Sequence, residues 1–275
     1  MLISTNIRNW GPASDLSTMV ESIKIAEAGG IGTVWVNDLF STPVAKGWSA
    51  DDGGRFLDPL MTLTFLASFT ERINLGTGVL IVPYRRPLQL IKQVATLQEL
   101  SGGRFRLGVG VGWNETEFQA LGVPFGERGK RTDEALALMH KAFANDSVTV
   151  NEATLPTLPR PTRPPIYVGG MTDAAHRRVI KFGDGWLASG LSPSEISAPI
   201  SRLVELAEQA GAAKPTIIAM KTLPLDDVNA AVEMAQAYAE AGCDEISHGE
   251  GYPDAEAYRR RIDILVERII PSMGG

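Results

Sequence analysis

The sequence predicts a (β/α)8 barrel, a TIM-type α/β fold in a single domain over residues 1–275, with an insertion between the fourth and fifth strands. Three observations carry this. Short β-branched or aliphatic runs alternate with longer amphipathic segments along the whole chain. The runs number eight, the count at which a parallel sheet closes on itself. The first βα connection, residues 8–14, holds one glycine, Gly11, and lacks the G-x-G-x-x-G loop expected of an open doubly wound sheet. A chain of 275 residues suits one barrel of roughly 250 residues.

The elements follow in order. A first strand at 2–7 leads to a helix capped by Asp15 and stopped at Gly29 and Gly30. After a strand at 33–37, Asp58 and Pro59 open the next helix, the proline standing where its missing N–H costs nothing. A third strand at 73–81 is followed by a helix that Pro87 starts and Gly102-Gly103 ends, and a fourth strand occupies 105–109. About sixty residues then intervene, enough for two helices and a stretch bearing Pro156, Pro159, Pro161, Pro164 and Pro165. That proline density excludes helix or central strand and implies a stiff extended connection over the surface, or a wall at the barrel mouth. Strand five is Ile166–Gly169; Thr172 or Asp173 opens a helix closing at Gly183. Strands six to eight fall at 185–189, 216–221 and 244–247, with Asp226 starting the helix that ends at Gly242.

Composition narrows the class. Apolar residues at 44% fill a large core, and a net charge of −6 favours solubility and argues against a nucleic-acid partner; the small-molecule substrate expected here rests on the resemblance given below. The lone Cys243 forms no internal disulfide, and the N-terminus shows no basic region leading into an apolar run, so a cytoplasmic protein is expected. The apolar stretch at 60–69 is about half a bilayer span, so no membrane partner is expected.

In barrels, chemistry sits where strands end and βα loops begin. Those positions are Asn37-Asp38-Leu39, Gly76-Thr77-Gly78-Val79, residues 108–114 and residues 169–173. The run from Gly169 and Gly170 to Thr172 and Asp173 directs helix N–H groups at one spot, which makes either a phosphate site or an ordinary capped turn. Gly110 and Gly112 leave room for a flat ligand, with Trp113 either walling it or packing internally. Thr77-Gly78-Val79 reads as a bulge.

Five stretches in a fixed order, LGTGVL at 75–80, SGGRF at 101–105, GVGVGW at 108–113, ERGKR at 127–131 and GDGW at 183–186, resemble the luciferase-like monooxygenase superfamily, in its coenzyme F420-dependent oxidoreductase branch. The resemblance runs from about residue 35 to 189. It implies hydride transfer at C5 of a bound deazaflavin, F420, with FMN as the alternative cofactor of the same barrel. It implies a non-prolyl cis peptide at Gly78-Val79, after Thr77, beneath the ring; a phosphate held by Gly169, Gly170, Met171 and Thr172; Asp38 at the ring's polar edge; and Gly112, Trp113 and Asn114 bordering ring and substrate. It also implies pairing of two barrels as a homodimer. Arg128, Arg131 and Glu134 read as charge pairs at helical spacing rather than as part of a site.

One departure matters. Many members carry histidine after the aspartate that ends strand two, and here the residue is Leu39, which moves no proton. Reduction of an activated double bond, imine or carbonyl is therefore expected over alcohol oxidation. Asp38, Tyr84 and Trp113 are the catalytic candidates, with His248 a further one after strand eight, whereas His140 and His176 read as structural. Val111 stands where flavin-dependent members often place a basic residue, which favours the deazaflavin. A non-catalytic cofactor-binding protein is the rival from another class.

Overall fold

The computed structural model describes residues 1–40 and 54–273; most of the 39–57 loop thus lies outside the described residues. Eleven strands are described: β1 Leu2–Asn6, β2 Thr33–Val36, β3 Asn74–Thr77, β4 Leu80–Ile81, β5 Phe105–Gly110, β6 Ser147–Val150, β7 Ala153–Pro156, β8 Ile166–Gly169, β9 Gly185–Ser189, β10 Thr216–Met220 and β11 Glu245–His248. All but β6 and β7 join one parallel sheet in the order β3-β2-β1-β11-β10-β9-β8-β5-β4, and β3 pairs with β5 to close it. β3 and β4 are two pieces of the expected third strand, so the barrel has its eight staves.

The split of that strand is the one irregularity of the sheet. Gly76 pairs with Arg106 and Leu80 with Val109, four steps along one strand against three along the other. One residue is extra, and a bulge with its local re-aiming of the backbone results. The Gly78-Val79 peptide at this point is cis.

Among the described residues, nine helices of six residues or more lie outside the sheet: α1 Leu16–Ala28, α2 Pro59–Ala67, α3 Pro87–Leu100, α4 Glu115–Ala120, α5 Arg128–Ala144, α6 Asp173–Phe182, α7 Pro193–Gln209, α8 Val228–Glu240 and α9 Ala255–Ile264. Their starts follow from side chains that satisfy orphan N–H groups: Asp15, Asp58 and Thr172 accept from Thr18, Met61 and Ala175. The cap of α8 is Asp227, not Asp226, because the Asp227 side chain is the one that accepts from Ala230 N. Among the described residues no helix is long and apolar enough to cross a membrane.

The insertion contains α4, α5 and a two-stranded antiparallel hairpin, β6–β7, that was not expected. Its turn places Asn151 and Glu152 at φ 49° and 65°, the left-handed pair of a two-residue hairpin loop. Leu155 and Pro156 therefore end an edge strand. Beyond them the proline-rich chain runs along the outside of α3, where Lys92 Nζ donates to Leu158 O and Gln98 Nε2 to Thr162 O. It is a connector on the helical layer and not a wall at the mouth.

Inside the barrel large residues fill the space left by small ones. Trp35, Tyr167, Leu187 and Ile218 form an inner cluster, with Val79 and Met220 packed against it. A Cβ at Gly76 would sit 2.2 Å from the Trp35 ring, so only glycine allows this packing. Beneath, Arg106 spans the interior, 2.8 Å from Glu245 Oε2 and 2.9 Å from the Tyr167 hydroxyl. The floor is closed by paired charge, and the open end is the C-terminal one.

Candidate active site

The cis peptide is held from the neighbouring strand end. Gly78 N–H donates to Val36 O at 2.7 Å, and Asn37 Nδ2 donates to Gly78 O at 3.1 Å. Asn37 is itself fixed by Asn9, which accepts from the Asn37 N–H (3.0 Å) and donates to Asn37 O (2.8 Å) and Leu57 O (2.7 Å). Asn9 carries no motif, and its role becomes visible only once β1 and β2 lie side by side.

Val79 is the residue around which the mouth is built. A Cβ at Gly110 would lie 2.5 Å from Val79 Cγ2, and one at Gly169 would lie 2.8 Å from Val79 Cγ1. The space expected above Gly110 for a flat ligand is therefore filled by Val79. Gly112 likewise, at φ 79°, faces Ile81 and Phe118 rather than a ligand. Thr77 is fully buried and its hydroxyl donates to Gly108 O at 2.7 Å, so its side chain bonds the sheet and is closed to a cofactor.

The Val79–Gly169 contact ties the cis peptide to the turn after β8. Gly170 there adopts φ 120°, and Trp186 Nε1 donates to its carbonyl at 2.8 Å, pinning the turn from beneath. Met171 and Thr172 are exposed, and Thr172 Oγ1 caps α6 through Ala175 N. The first-turn N–H groups of α6 have no intrahelical acceptor and lie at the barrel's open end, a donor set suited to a phosphate. Trp113 stands half-exposed beyond β5, and the Asn114 carbonyl accepts from Glu117 N at the start of α4.

Past Asp38 opens a cavity of about 830 Å³ whose lining includes Asp38, Leu39, Phe56, Tyr84, Arg85 and Gln89, but neither Val79 nor residues 169–172. Asp38 is not free to act in it. Its Oδ2 accepts from Ile81 N (2.8 Å) and Arg85 Nη1 (2.5 Å), and its Oδ1 accepts from Arg85 Nη2 (3.1 Å). Burial pushes its carboxyl up against the pull of Arg85 and the Ile81 N–H. Arg85, though desolvated, is held charged above its ordinary value by Asp38 and Asp58. This is a correction to the acid–base role expected for Asp38: the carboxylate anchors the chain just past the cis peptide.

Tyr84 follows β4 in a 3-10 turn and donates its hydroxyl to Glu117 Oε2 at 2.7 Å. Burial and the Glu117 carboxylate push its phenol well above the usual range. Glu117 is buried in α4, and its other oxygen has no hydrogen-bond partner. Sequence reasoning missed Glu117, because a glutamate in the first turn of a polar helix looks like a dipole-complementing surface charge.

The remaining candidates fall outside the site. In register His248 pairs with Thr5, and its Nδ1 accepts from Leu223 N while Nε2 lies 3.3 Å from Glu250. It is buried among structural partners. Arg131 pairs with Glu127 and Lys130 with Glu134 on the surface of α5, as helical spacing suggests. His140 and His176 pack on Phe182 and Trp186. Among the described residues no cluster of His, Cys, Asp or Glu has the arrangement of a metal site.

Comparison with known proteins gives three kinds of likeness. A family model described as luciferase-like monooxygenase matches residues 1–265. An uncharacterised protein of Mycobacterium tuberculosis is 32% identical over 219 residues, 74% of this chain and 75% of its own. Among solved structures, an F420-dependent secondary alcohol dehydrogenase in complex with an F420-acetone adduct superimposes with a TM-score of 0.80 at 19% identity, over 100% of this chain and 99% of that one. A Baeyer-Villiger monooxygenase from Pseudomonas putida in complex with FMN gives 0.78 at 13% identity, over 98% of each chain.

Proposed function

The chain belongs to the luciferase-like monooxygenase family, and from that premise we propose that it is a coenzyme F420-dependent oxidoreductase reducing a small unsaturated organic substrate. One observation carries the reading: a cis Gly78-Val79 peptide whose valine is seated between Gly110 and Gly169, in contact with the exposed N–H turn that follows β8. Flat backbone beside a helix N-terminus fits a tricyclic ring with a phosphate tail.

In this reading the bound deazaflavin supplies a hydride-donating carbon, and the chain supplies orientation and a proton. Gly78 and Val79 support the ring from below. The N–H groups around Gly169, Gly170, Met171 and Thr172 hold the phosphate, and Trp113 with Asn114 borders the substrate. Tyr84 lines the cavity past Asp38 and offers the proton, since Leu39 carries none and Asp38 is engaged. Turnover of simple secondary alcohols is not expected.

FMN is the second reading, favoured by the FMN-bound structural neighbour. The loop after β5, with Val111 at its centre and no lysine or arginine from 111 to 114, supports F420 instead. Titrating the pure protein separately with F420 and with FMN, and following quenching of protein fluorescence, decides between them. Binding of F420 is the expected result, FMN binding alone makes the protein a flavin enzyme, and binding of neither defeats the proposal. We propose also that two copies pair through their outer helices, where Leu16, Met61 and Phe65 of α1 and α2 are exposed together around one groove.

A further inference from the structure

A reductase that leaves a proton on its product needs an internal proton route, and the usual position for one is occupied here by Leu39. Asp58, on the cavity, is held by Arg85 and caps α2 through Met61 N. Lys92, also on the cavity, donates to Leu158 O. Among the described residues of this lining, Tyr84 is the one whose hydroxyl leads directly to a buried acid.

We propose that Tyr84 and Glu117 form a two-residue proton relay, in which Tyr84 exchanges a proton with the substrate heteroatom and Glu117 exchanges one with Tyr84. The inference rests on the oxidoreductase reading above. In the reducing direction a bound reduced deazaflavin would supply the hydride to the substrate carbon, and Tyr84 would give its proton to the heteroatom. Glu117, entering the step as the acid, would return a proton to Tyr84 Oη across the 2.7 Å bond and be left as the carboxylate seen bonded here, and a solvent proton taken up from the open cavity through Tyr84 Oη would restore it. With an enone as substrate, hydride on the β-carbon and the proton on oxygen give the enol, which tautomerises to the ketone, so electrons and protons balance.

Three features equip Glu117 for this. It is buried, with Oε1 making no hydrogen bond, so no second partner fixes its proton. Aromatic rings pack beside the pair: the Tyr84 ring meets Phe118 edge-on at 5.0 Å and Phe118 meets Phe125 at 5.2 Å. The charges that act on the dyad from neighbouring elements are Asp38 and Arg85, and these are paired with each other. On α5 the Arg128 guanidinium lies over Phe125 and donates to Phe125 O. Glu117 is thus a positioning and proton-storing residue acting through Tyr84.

The test compares wild type, Tyr84→Phe and Glu117→Gln. Infrared difference spectroscopy, with E117Q identifying the Glu117 carboxyl band, reads the coupling without any substrate. Y84F should shift that band, because its hydrogen bond with Tyr84 Oη is lost; an unmoved Glu117 band overturns the relay. With reduced F420 and cyclohex-2-enone as acceptor, Y84F should lose about 100-fold in kcat. E117Q should lose about tenfold and flatten the pH profile, with F420 affinity in both variants within about twofold of wild type. Full kcat in Y84F, or an E117Q pH profile identical to wild type, overturns the relay while leaving the cofactor assignment intact. Wild type that quenches with neither cofactor defeats the assignment itself, and the infrared band still judges the pair.

Discussion

A methyl group added at Gly169 would stand 2.8 Å from Val79 Cγ1, and one at Gly110 would stand 2.5 Å from Val79 Cγ2. Real side-chain carbons do not approach so closely, so these glycines and this valine specify one another. Gly169→Ala should destabilise the protein by about 1–3 kcal/mol, the range for overpacking. Adding Val79→Ala should recover much of that loss, so urea denaturation of both single variants and the double should give a clear coupling energy. Additive losses would mean that Val79 does not occupy the slot. The same reasoning applies to Gly76 beneath Trp35, where the opposing group is a rigid ring and little relaxation is available.

At the level of elements, the connections after strands are held by single carboxylates. Asp38 joins the end of β2 to β4 and to Arg85, with side-chain exposures of 4% and 15% for the two partners. Truncating one member of a buried ion pair typically costs about 3–5 kcal/mol; Asp58 still faces Arg85, so Asp38→Ala should fall at the low end. It should also weaken F420 binding, by loosening the chain that follows the cis peptide. Asp184 plays the corresponding part at the floor of β8, accepting from Ile166 N at 2.7 Å and from both Arg163 Nη atoms at 2.8 Å. Burial works to raise its carboxyl, but Arg163 and the Ile166 N–H outweigh it and hold the group below the usual range. A depressed carboxylate stabilises the fold above its unfolded pKa, about 4, and that contribution is lost as pH falls through the lower folded value. Urea midpoints should therefore drop more steeply below about pH 4 in wild type than in Asp184→Asn. Parallel slopes would contradict this.

For the whole molecule, the barrel places its charge pair at one end and its glycine-rich backbone at the other. Arg106 and Glu245 lie on non-adjacent strands and meet across the interior, 2.8 Å apart, which closes the floor. A ligand that binds only the folded barrel raises its stability by mass action. At F420 one hundred times above its dissociation constant the gain is about 2.7 kcal/mol. Thermal unfolding of a protein this size should then shift upward by about 5–10 °C. Sedimentation tests the proposed pairing of copies: Phe65→Asp should convert a dimer to a monomer, and an unchanged species would remove α1 and α2 from the interface.

The alternation of strand and helix, the helix caps and the order of glycine-rich strand ends are local properties, because hydrophobic period, capping chemistry and backbone freedom are set within a few residues. The barrel, the bulge at 77–79 and the turn at 169–172 were therefore legible in the chain itself, whereas the cis form of the Gly78-Val79 peptide was implied only by the family resemblance. The β6–β7 hairpin was not read from the sequence: β7 is exposed along its length and so carries no buried face to mark it, and the prolines from 156 onward point to a connector. What the sequence could not decide was the partner of each polar or small group. Asp38 read as a carboxylate at the ring's edge until Arg85, forty-seven positions away, closed on it; Glu117 drew no attention until Tyr84 lay against it; and the gap above Gly110 read as ligand space until Val79 filled it. Such pairings join residues far apart in the chain, and only closure of the barrel brings them within bonding distance.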